Sequence, residues 1–214
     1  MKRQKAPKNW PVKRKGTKYL IGPRFGIKNG IPLLVALRDI LKIADNRREV
    51  KKAINAKNVV VNNKISYDER QGLLLFDKLK IVPLKKSYSV EIMENKKIGL
   101  REVNEKDSNF KVSKVIGKKI LKKGKVQLNL SDGNNFFSDT GCKLNDSLLI
   151  NLEKKSIEKC LPLKEGAKVF VFEGKHAGKR GKVFKIDSEN KIVEIEVDKE
   201  KINVLIKQII VEND

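Results

Sequence analysis

The stretch Glu173-Gly174-Lys175-His176-Ala177-Gly178-Lys179-Arg180-Gly181-Lys182-Val183 decides how this chain is read. Short hydrophobic runs surround it: Val169–Phe172 before, Lys182–Ile186 directly on it, then Lys191–Val197, Ile202–Leu205 and Gln208–Val211. Such spacing predicts about five strands in roughly fifty residues, which suits a small β-barrel. Three glycines between the first two strands need a physical reason. Glycine permits positive φ and lets another backbone approach closely. The loop is therefore expected to offer backbone N–H groups, with Lys175, Lys179, Arg180 and Lys182, to a phosphate chain. His176 reads either as a solvated loop residue or as an RNA contact. A nucleotide cradle would need Gly-Lys followed by Ser or Thr and a helix, and neither occurs.

Working outward, charge dominates the composition. The chain has 214 residues, 49 Lys+Arg against 26 Asp+Glu, and a net charge of +23. Charged residues make up 35%, aromatics 6% and hydrophobics 39%, so several small cores are expected rather than one large one. The excess is graded. Residues 1–28 carry ten basic and no acidic groups, 29–95 carry 13 against 8, 96–163 carry 15 against 8, and 164–214 carry 11 against 10. Forty of the bases are Lys and nine are Arg, which favours phosphate contacts over bidentate base reading. Neutralising phosphates releases counterions and drives binding without reading sequence. The acid-free segment 1–28, with Pro7, Pro11 and Pro23, is expected to become ordered only against a polyanion. It cannot form the amphipathic helix of a membrane anchor, and no apolar run approaches the ~20 residues of a membrane span. Cys142 and Cys160 stand apart with a single His, so neither a zinc site nor a disulfide framework is expected, and a reducing cytosol is the default.

After Asn29-Gly30, the residues Leu33, Leu34, Leu37, Ile40 and Leu41 recur at helical spacing. They predict a helix over Ile31–Ile43, with Pro32 in its first turn. Asp45 or Asn46 caps a second helix, about Arg47–Ala56, with Glu49 completing a capping box. Val50, Ala53 and Ile54 turn inward, and Arg47, Arg48, Lys51 and Lys52 outward. The N-terminus of that helix, beside Arg47 and Arg48, is a candidate phosphate site. Val59–Val61, Asn62-Asn63 and Lys64-Ile65 read as a hairpin. From about Lys111 the pattern is β-like: Val126–Leu130 alternates, Asp132-Gly133 turns, Phe136-Phe137 resumes, and Ser147–Leu152 and Ile157–Leu161 flank a turn. Asp132 and Asp139 read as turn formers, and no nucleophile–base pair can be proposed.

Two short helices followed by a hairpin resemble the alpha-L type RNA-binding module, whose helix pair presents a basic face to structured RNA. Arg38, Lys42, Arg47, Arg48, Lys51, Lys52 and Lys57 occupy suitable positions. Where that family's turn usually holds Gly, this chain has Asn63. The glycine-bearing loop matches the KOW motif of ribosomal proteins and transcription elongation factors, which implies an SH3-like barrel.

The whole chain resembles the family of small-subunit ribosomal protein four of the archaeal–eukaryotic type. Four blocks carry the likeness in order: Ala6–Pro11 with Arg14-Lys15-Gly16; Ile31–Leu34 with Leu37–Leu41, Ala44-Asp45-Asn46 and Arg48-Glu49; Gly124–Leu130 with Asp132-Gly133; and Gly174-Lys175-His176 with Gly178 and Gly181. A departure is Pro23-Arg24-Phe25-Gly26-Ile27-Lys28, where the family has Pro-Arg-Pro-Gly-Pro-His. Pro11 and the short C-terminal part look archaeal.

The resemblance implies an α+β, mostly β, multi-domain chain. Its parts are a basic extended arm (1–28), an alpha-L module (29–92), a central β domain (93–163) and a KOW barrel (164–214). It implies a structural rRNA-binding protein of the small ribosomal subunit in the cytoplasm, with neighbouring subunit proteins as partners. No cofactor, metal, membrane, small-molecule substrate or catalytic residue is expected. The expected RNA contacts on the arm are Lys2, Arg3, Lys5, Lys8, Lys13, Arg14, Lys15 and Arg24, with Trp10 anchoring by stacking or by packing. The helix pair and the loop contribute the residues named above, His176 included. Two alternatives remain, a KOW-bearing elongation or antitermination factor and an RNA-modifying enzyme with an alpha-L module.

Overall fold

The computed structural model describes residues 1–25, 30–121, 125–137, 141–198 and 200–212. Among the motif residues, Gly26–Lys28, Asn29, Gly124 and Asp139 lie outside them. The chain is mostly β, with two short helices and several antiparallel sheets, and it divides into two compact units, Met1–Asn109 and Phe110–Asp214.

In the first unit, β1 (Gly30–Pro32) pairs with β4 (Gly72–Leu74), so the expected helix over Ile31–Ile43 is shortened. Ile31 lies opposite Leu73, and Pro32 is the extended N-cap of α1 (Leu33–Val35). The amides of Leu33 and Leu34 donate to the carbonyls of Gln71 and Glu69. A π turn, Ala36–Ile40, continues the helix, and Lys42 at φ 52° ends it. The helical period there is real, but a neighbouring strand claims its first residues.

Helix α2 (Arg47–Asn55) follows as expected. Asn46 caps it, accepting from the Glu49 amide at 3.0 Å, while Glu49 accepts from the Asp45 amide at 2.8 Å. Its end is a Schellman turn: the Asn58 amide reaches the Ala53 carbonyl, the Lys57 amide reaches Ile54, and Lys57 sits at φ 58°. The hairpin of β2 (Val59–Val61) and β3 (Lys64–Ile65) turns through Asn62 and Asn63 at φ 49° and 58°, the positive pair that a type I′ turn demands. With β5 (Lys78–Ile81), β6 (Lys86–Ile92) and β7 (Ile98–Val103) it forms the sheet β3-β2-β5-β6-β7. Because β7 pairs along β6, the sheet runs past the boundary expected after residue 92.

The arm departs furthest from expectation. Segment 1–25 folds back on itself: Lys2 bridges Tyr19, the Leu20 amide donates to Met1, and the Arg3 amide donates to Lys18. Arg3 staples the loop, its guanidinium donating to the Thr17 carbonyl, the Lys13 carbonyl and the Thr17 hydroxyl, each at 2.6 Å. Ala6, Trp10, Leu20 and Pro23 turn inward while Lys2, Lys5, Lys8, Lys13, Lys15 and Lys18 stay out. Inward apolar anchors and a guanidinium bonded through all three of its nitrogens offset the like-charge repulsion that composition alone emphasises.

The second unit holds two five-stranded sheets. One is β10-β9-β8-β11-β12, from β8 (Phe110–Ile120), β9 (Val126–Leu130), β10 (Asn135–Phe137), β11 (Ser147–Asn151) and β12 (Ser156–Leu161). The other is β16-β15-β14-β13-β17, from β13 (Lys168–Val171), β14 (Arg180–Asp187), β15 (Ile192–Val197), β16 (Glu200–Leu205) and β17 (Ile209–Val211). Alternation along these strands gives the second sheet a core of Val169, Val171, Val183, Val193, Ile195, Val204 and Ile209, with Leu161 and Val112 joining from the first part.

Two lysines are taken inside this unit. Lys111 and Asp132 form a 2.7 Å ion pair with side chains 3% and 4% exposed. Asp132 also accepts from the Asn134 amide, so it serves as the expected turn former. Burial raises the Asp132 carboxyl, but the Lys111 charge with its hydrogen bond and those of Asn134 outweigh it and leave the group below its ordinary value. Lys114 donates to the carbonyls of Ile206 and Ile209, and burial pushes its ammonium down to about 8. Cys142 and Cys160, expected to be unrelated, are brought together as a disulfide, with Cα atoms 6.2 Å apart, because the strands fold their 18-residue separation back across one core.

Candidate nucleic-acid interface

The sequence-predicted contacts divide by residue type. Every candidate lysine is exposed: Lys2, Lys5, Lys8, Lys13 and Lys15 on the arm, Lys42, Lys51, Lys52 and Lys57 around the helices, and Lys175, Lys179 and Lys182 at the loop. The arginines are largely occupied. Arg3 staples the arm as above. Arg14 donates to the Ala6 carbonyl at 3.3 Å, and Arg24 lies 5.7 Å from the centre of the Phe25 ring. Arg38 forks onto Asp39 at 3.0 and 2.8 Å. Arg47 donates through Nε and Nη2 to Glu69, itself only 6% exposed. Arg180 donates to both carboxylate oxygens of Glu212 and stacks 4.8 Å from the Phe170 centroid. Arg48 is exposed. Among these candidates, the planar forks of Arg38, Arg47 and Arg180 find carboxylates within the fold, whereas the lysines are left at the surface.

Three expectations need correcting. Trp10 is 1% exposed, so it anchors by packing and presents no face to a base. At the N-terminus of α2, Asn46 already takes the Glu49 amide, and the Glu49 carboxylate takes the Asp45 amide just before the helix. The glycine loop spends three of its N–H groups within the fold: Ala177 donates to Gly174, Gly178 to Val171, and Lys179 to His176. The glycines are required by the fold. Gly174 and Gly178 adopt φ 94° and 93°, and a Cβ on Gly181 would stand 2.4 Å from the Glu196 carbonyl. The close backbone is the chain's own neighbouring strand. What the loop turns outward is Lys175, Lys179 and Lys182, while His176 is half-buried.

Two residues beside this surface were not singled out from the sequence. Tyr19 is 61% exposed, and Arg70 donates to the Gly22 carbonyl at 3.5 Å. Only pairing distant in sequence sets residues 17–22 beside Arg38, Arg47 and Arg70, so no local spacing could have found them. Among the described residues, no group of three or more His, Cys, Asp or Glu is placed to hold a metal ion, and no helix is long and apolar enough to cross a membrane.

Fold and surface together define a class, an assembly of small antiparallel sheets clad in exposed lysines, with most of its arginines engaged by partners within the fold. Residues 84–157 match the model of ribosomal family S4e. The small ribosomal subunit protein eS4 of Methanocella arvoryzae is 36% identical over 189 residues, covering 87% of this chain and 80% of that protein. Its counterpart in Methanosphaera stadtmanae is 37% identical over 190 residues, covering 87% and 78%. The crystal structure of 30S ribosomal protein S4e from Thermoplasma acidophilum shares the fold, with a TM-score of 0.76 at 22% identity, over 86% of this chain and 95% of that one. This chain belongs to the eS4 family of small ribosomal subunit proteins.

Proposed function

We propose that this chain is a structural, non-catalytic component of the small ribosomal subunit. It binds and stabilises rRNA in the cytoplasm through lysine–phosphate contacts, beside neighbouring subunit proteins. The observation that carries the reading is the division of labour between cations: every candidate lysine is exposed, while most of the arginines meet partners within the fold. Exposed ammonium groups suit a phosphate backbone, which asks for charge and not for planar geometry. The order α1, α2, β2, β3 supports an alpha-L module, and the sheet around the glycine loop supports a KOW barrel of SH3-like form. The arm works as a folded basic lobe rather than as a thread.

The test is titration of the whole chain against small-subunit rRNA over a salt series. A steep fall of log K with log salt is expected, together with co-sedimentation with small subunits through a gradient. Salt-independent binding, or migration with RNA polymerase, would overturn the reading.

A further inference from the structure

Where the folded arm meets α1 and the start of α2 lies a cavity of about 380 Å³, entirely within the first unit. That volume falls in the ~300–1,000 Å³ range of small-ligand sites. Arg38, Arg47 and Arg70 wall it, Leu20 and Leu34 give it an apolar floor, and Tyr19 stands at its edge. We propose that this cavity receives a single unpaired nucleotide of rRNA, its base against Tyr19 and the apolar floor and its phosphate among the three guanidinium groups. This rests on the rRNA-binding reading above and names the element bound there.

The geometry favours such a unit. Each guanidinium is fixed on one edge by the protein: Arg38 through Nε and Nη2 on Asp39, Arg47 through Nε and Nη2 on Glu69, and Arg70 through Nε on the Gly22 carbonyl. Nη1 of each remains for an incoming acceptor. Three cations face two carboxylates, so the wall keeps a net positive charge, and its donors are oriented before the ligand arrives. The apolar floor adds what a bare phosphate would not need. Tyr19 is 61% exposed and has the Lys18 ammonium 5.7 Å from its ring centre, a cationic aromatic platform of the kind on which bases stack. The Thr17 hydroxyl donates to the Tyr19 carbonyl at 3.1 Å and so steadies the platform's backbone. A paired base would hide its face in the helix, so the occupant is unpaired.

The experiment uses the full chain and small-subunit rRNA. Ultraviolet crosslinking with peptide mapping should place a single-stranded rRNA nucleotide on Tyr19. Tyr19→Ala should weaken binding about tenfold with the salt slope unchanged, and Tyr19→Phe should restore both affinity and crosslink. Because Tyr19 is exposed and its bridge to Lys2 is made by backbone, neither variant disturbs the fold. Arg38→Gln should lower the salt slope by about one. If the native chain binds rRNA steeply but Tyr19→Ala is unchanged and no crosslink maps to residues 17–38, the pocket proposal falls while the ribosomal reading stands. If millimolar nucleoside monophosphate abolishes the crosslink without displacing rRNA, the site belongs to free nucleotides and the proposal is equally overturned. If the native chain shows no salt-dependent rRNA binding, both readings fail together.

Discussion

In Met1–Asn109 the described lysines of the arm and of α2 lie outside, whereas Phe110–Asp214 draws Lys111 and Lys114 into its interior. The first unit holds 27 basic against 11 acidic residues and the second 22 against 15. The same side chain thus serves two purposes. Outside, a flexible ammonium costs little to leave in water and meets a polyanion on arrival. Inside, it needs a carboxylate or carbonyls already in place, because an unpartnered buried charge costs several kcal/mol. Charge composition is therefore a guide to partners only after the buried share has been subtracted.

The sharpest way to break this comparison is to remove what holds each unit's cations in position. Trp10→Ala should destabilise the first unit by about 3–5 kcal/mol, as large-to-small core substitutions do. Chemical denaturation monitored by circular dichroism checks this, and protease sensitivity should rise between residues 1 and 25. Asp132→Asn should cost the second unit about 3 kcal/mol and leave rRNA salt dependence unchanged, since it removes the carboxylate facing Lys111. The pH sign follows from the lowered Asp132 carboxyl: its contribution is fully present above the ordinary carboxylate value and is lost as pH falls through the lowered one. Melting curves from pH 5 downward should converge for the native chain and Asp132→Asn. Convergence on raising the pH would contradict the pairing.

How far the molecule could be read in advance depends on the range of its interactions. Local signals held. The capping pair Asn46 and Glu49, the Asn62-Asn63 turn and the strands around the glycine loop all form where spacing and turn chemistry put them. Exposure of the candidate lysines also followed from their polar surroundings. What failed was set by partners far along the chain. Ile31 left its helix for Leu73, Arg3 folded the arm onto Thr17, and Lys111 in Lys-Val-Ser-Lys looks like any solvated lysine until Asp132 arrives. The glycines were noticed for the right property, but the backbone that approaches Gly181 is a strand and not RNA.

Smaller effects sharpen the outer half of the comparison. Replacing Lys8, Lys13 and Lys15 with Gln should reduce the rRNA salt slope by about two. The triple Lys175, Lys179 and Lys182 to Gln should reduce it by less than about one, because residues 164–214 are nearly neutral and the loop's field is offset by nearby acids. Equal losses would mean that both units share the polyanion evenly. Lys57→Gly should raise stability by about 1 kcal/mol, since Lys57 occupies the left-handed position that ends α2, while removing one surface charge. Thermal unfolding and the salt slope measured on the same sample separate those two effects.

Lys114 also places a clock inside the second unit. Its carbonyl partners lie 92 and 95 residues further along the chain. At about 5–20 residues per second of synthesis, those acceptors emerge roughly 5–20 s after the lysine does. Through that interval β8 carries a charge on a face destined for the interior, and an inward-pointing charge discourages an unfinished strand from pairing with a stranger. The arrival of β17 ends the wait, so completion of the unit coincides with the docking of that ammonium, still charged, onto the Ile206 and Ile209 carbonyls.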